Sequence, residues 1–184
     1  MIAAIFKADM VIKDYKSVSN KFPDAMQAAM NDSAAQAKTY AAKEITDVYN
    51  IKSADIKSNF KLIKATNARM VLQITGYGAG ISLRRFAATR SKRLTTTQSG
   101  VKRHVIGAKI WKSRTKQEIS GVFGLSGKLK TVMKRSTSER FPIQKAFGPG
   151  VAYMFNDKLK NKTINHIELI FPKILDNKIK FFYD

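Results

Sequence analysis

The amino-acid sequence predicts an α+β fold in which a long N-terminal helix packs on an antiparallel β-sheet, with a long basic loop and a C-terminal helical segment. Three observations predict this fold. Apolar residues recur at helical spacing before residue 48, they alternate with polar residues from residue 60 onward, and a polar, strongly basic stretch follows between residues 84 and 116. With 184 residues, of which 44% are hydrophobic, the chain suits one compact domain over residues 1–184.

Residues 23–48 predict one long helix. Their apolar side chains recur every three or four residues and form a single, alanine-rich stripe made up of Met26, Met30, Ala34, Ala37, Ala41, Ile45 and Val48. Pro23 suits the first turn of a helix, and Asp24 complements the positive end of the helix dipole. Because alanine is small, we expect this helix to pack closely against a sheet or another helix. Ser53 predicts the N-cap of a short second helix over residues 54–59.

Strands are predicted from residue 60 onward. Residues 60–64 and 70–74 alternate between apolar and polar side chains on either side of Asn67-Ala68, so they predict a β-hairpin. The glycines within residues 76–80 predict a second turn. Further short strands are predicted at residues 81–83, 101–111, 119–123 and 130–134.

Two other parts of the chain complete the predicted fold. Residues 87–100 are polar and lack periodicity, so they are predicted to form a loop. Residues 151–159 predict a helix, and two apolar segments, 164–171 and 174–183, follow on either side of Pro172. The aromatic residues near the C-terminus either complete the core or form an apolar tail that contacts a neighbouring subunit; they are Phe181, Phe182 and Tyr183.

Positive charge is concentrated in one segment. The chain has 34 Lys and Arg against 13 Asp and Glu, a net charge of +21, and residues 84–116 contain 11 basic and no acidic side chains. Such a segment predicts binding to a polyanion or to an acidic protein surface, with Phe86 and Trp111 available for stacking. The candidate contact residues are Arg84, Arg85, Arg90, Lys92, Arg93, Lys102, Arg103, Lys109, Lys112, Arg114 and Lys116.

The supply of catalytic groups is poor. The absence of cysteine excludes disulfides, thiolate zinc sites and cysteine nucleophiles, and His104 and His166 stand at no recognised metal-ligand spacing. The acidic residues are scattered, so a metal-dependent nuclease is the weakest of the candidate functions. No apolar run reaches the length of a membrane span. The sequence therefore predicts a soluble protein that is not an enzyme, with no cofactor, metal or membrane.

The second half of the chain contains an ordered series of short motifs. They run from Phe86 after a short strand, through Gly100-Val101 and Gly121-Val122-Phe123, to Gly148-Pro149. In this order and spacing, over about residues 20–160, the chain resembles the prophage minor tail protein Z family of tailed bacteriophages. The positions that carry the resemblance are Phe86, Gly100, Val101, Phe123, Arg135, Arg140, Pro142, Ile143, Gly148 and Pro149.

The resemblance implies a structural virion protein, assembled in the host cytoplasm, that completes the head-proximal end of the tail and helps join tail to head. A ring of sixfold symmetry around the DNA channel is expected, because the tail tube has that symmetry. The implied partners are further copies of the chain, the tail terminator or tail tube protein, head-connector proteins and the end of the packaged DNA. The basic loop at about 84–116 would then serve assembly, and residues 161–184 would form a C-terminal extension.

The charge alone supports an alternative function. A nucleic-acid-binding protein that uses residues 84–116 would show the same surplus of basic residues. The sequence contains no helix-turn-helix, zinc or ribonucleoprotein signature to strengthen this alternative.

Overall fold

The structure is a computed structural model that describes residues 2–7, 21–96, 100, 102–125, 131–137, 139 and 141–183. Its helices are α1 (Phe22–Val48), α2 (Ser53–Lys57), α3 (Val151–Met154) and α4 (Asp157–Tyr183), and a 3-10 turn covers Leu83–Phe86. Its strands are β1 (Ile2–Lys7), β2 (Phe60–Ile63), β3 (Val71–Gly76), β4 (Ile81–Ser82), β5 (Thr89–Thr96), β6 (Lys102–Ala108), β7 (Gln117–Ile119), β8 (Val122–Leu125), β9 (Thr131–Arg135), β10 (Ile143–Lys145) and β11 (Phe147–Gly148). The predicted α+β class is confirmed.

The described residues form two compact units. Of the described residues, those within 1–44, 57–77 and 152–184 belong to the first unit, and those within 45–56 and 78–151 belong to the second. Each unit contains its own antiparallel strands.

An antiparallel sheet of order β1-β3-β2 lies in the first unit. The predicted hairpin forms strands β2 and β3, with Leu62 paired to Ile74, and an isolated bridge between Thr66 and Arg69 places Asn67-Ala68 at the turn. Strand β1, which the sequence analysis does not assign, pairs along the other edge of β3. Leu72 and Ile74 are each 1% exposed, so alternate residues of β3 form part of the core.

Helix α1 packs through its small residues. Its bounds match the prediction to within one residue, and its most deeply buried alanines, each 0% exposed, are Ala25, Ala29, Ala37, Ala41 and Ala42. Ser33 is equally buried, and its hydroxyl donates to the carbonyl oxygen of Ala29 at 2.8 Å. The buried face of this helix therefore leaves little side-chain volume between the helix and its neighbours.

Polar side chains of α1 connect it to other elements of the first unit. Asn31 donates to the carbonyl oxygen of Ala65 and accepts from its N–H, at 3.2 and 3.0 Å. On α4, Lys178 forms an ion pair with Asp32 at 2.7 Å. The ring of His166 stacks on that of Tyr40 with 4.0 Å between centroids. These contacts place α4 beside α1.

Helix α4 corrects one prediction. The sequence pattern predicts two apolar segments separated at Pro172, but the structure has one continuous helix from Asp157 to Tyr183. The ring of Pro172 is exposed, whereas Phe171 and Leu175 on either side are 2% and 3% exposed. A proline inside a helix costs about 3 kcal/mol, because it removes one backbone hydrogen bond and its ring clashes with the preceding turn. The free energy gained by burying Phe171 and Leu175 outweighs this cost.

The C-terminal aromatic residues do not all join the core. Phe181 is 76% exposed, and its ring meets that of half-buried Phe182 edge to face at 5.6 Å. The carbonyl oxygen of Phe182 accepts a hydrogen bond from Lys21 at 3.3 Å. The sequence left open whether these aromatic residues complete the core or form an exposed apolar tail. The structure shows that Phe181 does not complete the core.

The second unit has a small core surrounded by short strands. Its strands pair in the orders β5-β6-β7, β8-β9-β10 and β4-β11. The buried residues at its centre are Leu83, Ala88, Ile106, Ala108, Val132 and Ala146.

Two predictions of local structure in this unit are wrong. Residues 87–100, predicted as a loop, include strand β5, whose backbone pairs with β6. A strand can be predicted from sequence when apolar and polar side chains alternate, which happens where one face packs on a core. Residues 87–100 show no such alternation, so the sequence did not predict this strand. The strand predicted at 119–123 is divided between β7 and β8 by a turn in which Gly121 has φ 71°.

Enlarging a buried alanine of α1 should destabilise the protein. We expect Ala41→Leu to lower the free energy of unfolding by about 1–3 kcal/mol, because the added carbons have no space to occupy. Ala35→Leu on the exposed side of the same helix is the control, with an expected change below about 0.5 kcal/mol. Urea unfolding followed by circular dichroism measures both, and equal losses would contradict close packing at Ala41.

The ion pair between α1 and α4 should give a pH-dependent stability. Lys162 Nζ lies 2.7 Å from Glu44 Oε2, and this hydrogen bond and the charge of Glu44 raise the pKa of Lys162 above the ordinary 10.5. A raised lysine pKa stabilises the folded state fully below the ordinary value, and the stabilisation is lost as pH rises through the folded-state pKa. We expect wild type to exceed Lys162→Met in urea midpoint at about pH 8 and the difference to shrink at about pH 11.5. Lys158→Met is the control, and a pH-independent difference for Lys162→Met would contradict the assignment.

Candidate functional site

The predicted basic residues all belong to the second unit but lie on different elements. Arg84 and Arg85 are in the 3-10 turn, and Arg90, Lys92 and Arg93 are on β5. On β6 and the segment that leads to β7 are Lys102, Arg103, Lys109, Lys112, Arg114 and Lys116. The side chains of Lys92, Arg93, Lys102 and Arg103 lie outside the described part of the structure.

Strands β5 and β6 bring the centre of the basic segment into one hairpin. Thr95 pairs with Arg103 and Thr96 with Lys102, while a register shift lies between Arg90 and Leu94. Strand β7 pairs only with residues 106–108 of β6. Among the described residues, the distal half of the hairpin, residues 94–96 and 102–104, is therefore a two-stranded ribbon.

A first cavity of about 710 Å³ is lined by basic residues from two segments. Arg84 and Arg85 come from the 3-10 turn, and Lys52 comes from just before helix α2. The guanidinium of Arg85 forms an ion pair with Asp55 at 3.0 Å, and the Asp55 side chain is only 17% exposed. One of the predicted contact residues is thus partly neutralised by an acid from outside the basic segment.

Backbone hydrogen bonds and an aromatic contact hold the chain after β6. The amide of Asn50 donates to the carbonyl oxygen of Ile110 at 2.8 Å, and its side chain donates to that of Lys109 at 3.1 Å. The guanidinium of Arg114 lies 4.6 Å from the ring centroid of Trp111. Lys116 donates to the hydroxyl of Thr89. These basic side chains therefore project from a segment whose backbone is fixed.

A second cavity, of about 460 Å³, combines basic and aromatic side chains. The guanidinium of Arg135 lies over the ring of Phe123 at 5.6 Å and donates to the carbonyl oxygen of Glu139 at 3.4 Å. Phe141 is 64% exposed. The lining consists of Arg90, His104, Ile106, Phe123, Gly124, Arg135, Phe141 and Ile143.

The positions that carry the family resemblance form contacts with each other. A Cβ atom at Gly148 would lie 2.7 Å from the fully buried ring of Phe86, so only glycine fits there. Phe123 stacks with Arg135, which in turn pairs with Ile143 across strands β9 and β10. Packing thus explains these five positions.

The remaining family positions lie in turns or outside the described residues. Gly100 has φ 76°, a backbone conformation that favours glycine. Pro142 is exposed just before β10, and Pro149 is half-buried after β11. Val101 and Arg140 lie outside the described residues.

Sequence reasoning missed the residues that complete both cavities. Lys52 and Asp55 precede the basic segment by about 30 residues, and nothing in their local pattern indicates a contact with Arg85. The sequence pattern bears on His104 only as a candidate metal ligand, and Phe141 is not among the predicted contact residues. The one available signal for the second cavity was Phe141 itself, which lies between the family positions Arg140 and Pro142.

Two features are absent from the part of the chain that the structure describes. No group of three or more His, Asp or Glu side chains there is close enough to hold a metal ion. None of the described helices is long and apolar enough to cross a membrane.

A double-mutant cycle should detect the ion pair in the first cavity. We expect Arg85→Ala and Asp55→Ala each to lower the free energy of unfolding by about 1 kcal/mol, a modest value because Arg85 is half exposed to solvent. The double variant should lose less than the sum, with a coupling of at least about 0.5 kcal/mol. Lys112→Ala is the control for loss of a surface charge. Strict additivity of the two losses would show that the ion pair contributes nothing.

Comparison with known proteins identifies the family. A search of curated proteins and a search of solved structures gave no significant match. The sequence profile of the prophage minor tail protein Z family matches residues 7–183, beyond the region of residues 20–160 that the motifs cover. Because this match spans nearly the whole chain, the protein belongs to the prophage minor tail protein Z family and is a structural protein of a bacteriophage tail.

Proposed function

We propose that the protein completes the head-proximal end of the tail and helps join tail to head as a homo-oligomeric ring around the DNA channel. In this role the protein is not an enzyme. Its partners are further copies of itself, the tail terminator or tail tube protein, and head-connector proteins. Family membership supports the tail location, and the concentration of 11 basic side chains within residues 84–116 supports a role in joining.

The hairpin of β5 and β6 is the proposed joining element. Its distal half is two-stranded within the described residues, and an isolated two-stranded ribbon is only marginally stable in water. Contact with an acidic surface of a neighbouring virion protein would stabilise it by charge pairing and by covering its edges. We therefore expect the basic hairpin to bind its final partner only during assembly.

The charge is unsuited to constant contact with moving duplex DNA. Each phosphate contact steepens the salt dependence of DNA binding by about 0.9, expressed as the fall of the logarithm of the association constant per decade of salt. Because every such contact also adds affinity, many contacts repeated around a ring would bind the duplex tightly. A channel through which DNA must pass quickly should avoid such a grip. We therefore propose that most of the basic segment faces protein, or the end of the packaged DNA before ejection.

A nucleic-acid-binding protein remains the second candidate function. Arg114 stacked on Trp111 and the exposed Phe141 beside Arg135 and Arg90 resemble the basic and aromatic surfaces that bind single strands. On this alternative the protein acts on nucleic acid independently of the virion.

The first experiment is peptide mass spectrometry of density-gradient-purified phage particles. We expect a few copies per particle, consistent with a ring at one level of the tail. Presence of the protein in the lysate together with its absence from intact particles would reject the tail location and favour the alternative.

A charge-removal variant should then separate the two functions. We expect simultaneous replacement of Arg90, Lys92, Arg93, Lys102 and Arg103 by alanine to abolish joining, so that free heads and free tails accumulate in electron micrographs. DNA affinity at physiological salt should change little. The matched control removes five exposed basic residues elsewhere, Lys61, Lys64, Arg69, Lys145 and Lys158, and should leave joining intact.

The opposite outcome is equally specific. If the five-alanine variant joins normally but loses DNA affinity, with a salt slope reduced by up to about 0.9 per lost phosphate contact, the nucleic-acid function is supported.

A further inference from the structure

The second cavity combines apolar and basic side chains. We call it the Phe141 groove; Phe123, Phe141 and Ile143 are apolar residues of its lining, and Arg90 and Arg135 line it as well. None of the described residues that line it is acidic. An exposed aromatic ring in a cavity that two arginines also line is suited to a partner that offers an apolar side chain flanked by carboxylates.

Helix α4 presents a surface with that chemistry. Glu168, Leu169, Pro172 and Asp176 are all exposed, and Leu169 is 79% exposed, the highest value among the large apolar side chains described. At 100° per residue these four positions fall within an arc of about 100° on one side of the helix. Glu168 and Asp176 are about 12 Å apart along the axis, with Leu169 and Pro172 between them. We call this surface the acidic α4 face.

Several acids elsewhere in the structure have basic partners. Asp32, Glu44 and Asp55 form ion pairs with Lys178, Lys162 and Arg85. Among the described residues, no basic side chain pairs with Glu168 or Asp176.

Self-association of this chain requires local charge compensation. Copies that each carry +21 repel one another, so a stable contact between copies must bring acidic groups against basic ones. The acidic α4 face and the Phe141 groove supply opposite charges together with an exposed apolar residue on each side.

We propose that the Phe141 groove receives the acidic α4 face of a second copy of the chain. Leu169 packs against Phe141, and the carboxylates of Glu168 and Asp176 pair with Arg135 and Arg90. The two surfaces are different, so the contact is heterologous, which is the kind of contact that closes into a ring. This inference rests on the ring of the proposed function and identifies the contact that builds it.

Cysteine cross-linking tests the contact directly, since the natural chain has no cysteine. Full-length Leu169→Cys and Phe141→Cys chains, carrying different mass tags, are mixed and oxidised, and heterodimers are counted by mass spectrometry. The control pairs Leu169→Cys with Tyr153→Cys, whose site is 71% exposed and so equally accessible. We expect about tenfold more heterodimer from the proposed pair, because docking raises the effective concentration of the two thiols. Equal yields from both pairs would overturn the proposal.

A charge swap supplies a second, independent readout. We expect Arg135→Glu to weaken self-association by about tenfold or more in sedimentation, and Glu168→Arg in the same chain to restore it. Asp47→Arg, at an exposed acid of α1, is the control for the added charge and should not restore it. Failure of Glu168→Arg to restore association, or equal restoration by Asp47→Arg, would overturn the specific pairing.

The outcomes distinguish this inference from the proposed function. If the protein occurs in particles at ring stoichiometry but the proposed cysteine pair does not cross-link above control, the contact is wrong and the proposed function stands. If the protein is absent from particles, the proposed function fails. If single-stranded DNA protects Phe141→Cys from alkylation and no heterodimer forms, the groove is a nucleic-acid site and the proposal is overturned.

Discussion

Close packing of helix α1 is the constraint on which the first unit depends. Alanines at its buried positions remove side-chain volume, so longer polar residues of the same helix reach neighbouring elements, as Asn31 reaches Ala65 and Lys38 reaches the carbonyl oxygen of Phe60 at 3.3 Å. Helix α4 lies beside α1 through ion pairs and a stacked ring pair. With larger residues in the stripe these polar groups could not all be satisfied, and unsatisfied buried groups are costly.

The second unit has a different organisation. Its core is small. Its basic side chains project from backbone that is held by hydrogen bonds and aromatic contacts, and these contacts offset the repulsion between the positive charges. Of the basic residues with described side chains, Arg85 has an acidic partner from another segment. The surplus of basic over acidic residues in this unit is consistent with a tail protein that contacts other virion proteins.

The candidate site was predictable only in part. Composition identified the basic segment, and the order of short motifs identified the family, because both are properties of consecutive residues. The two cavities were not predictable, since Asp55 meets Arg85 only when helix α2 packs near the 3-10 turn, and Phe123 meets Arg135 only after strands β8 and β9 have paired. The motif positions Phe86 and Gly148 are likewise explained only by packing. The ring of Phe86 leaves no space for a side chain at position 148, so that position requires glycine.

The sequence by itself determined the α+β class, the extent of helix α1, the hairpin of β2 and β3, and membership of the family. Each of these depends on periodicity or motif order within a continuous stretch of chain. Only the tertiary structure decided that Pro172 lies inside one continuous helix and that residues 89–96 form a strand. In both cases the local sequence signal conflicts with a contact made elsewhere in the fold. Burial of Phe171 and Leu175 keeps the helix continuous through Pro172. Backbone pairing with β6 forms strand β5, whose sequence lacks the apolar alternation that would predict a strand.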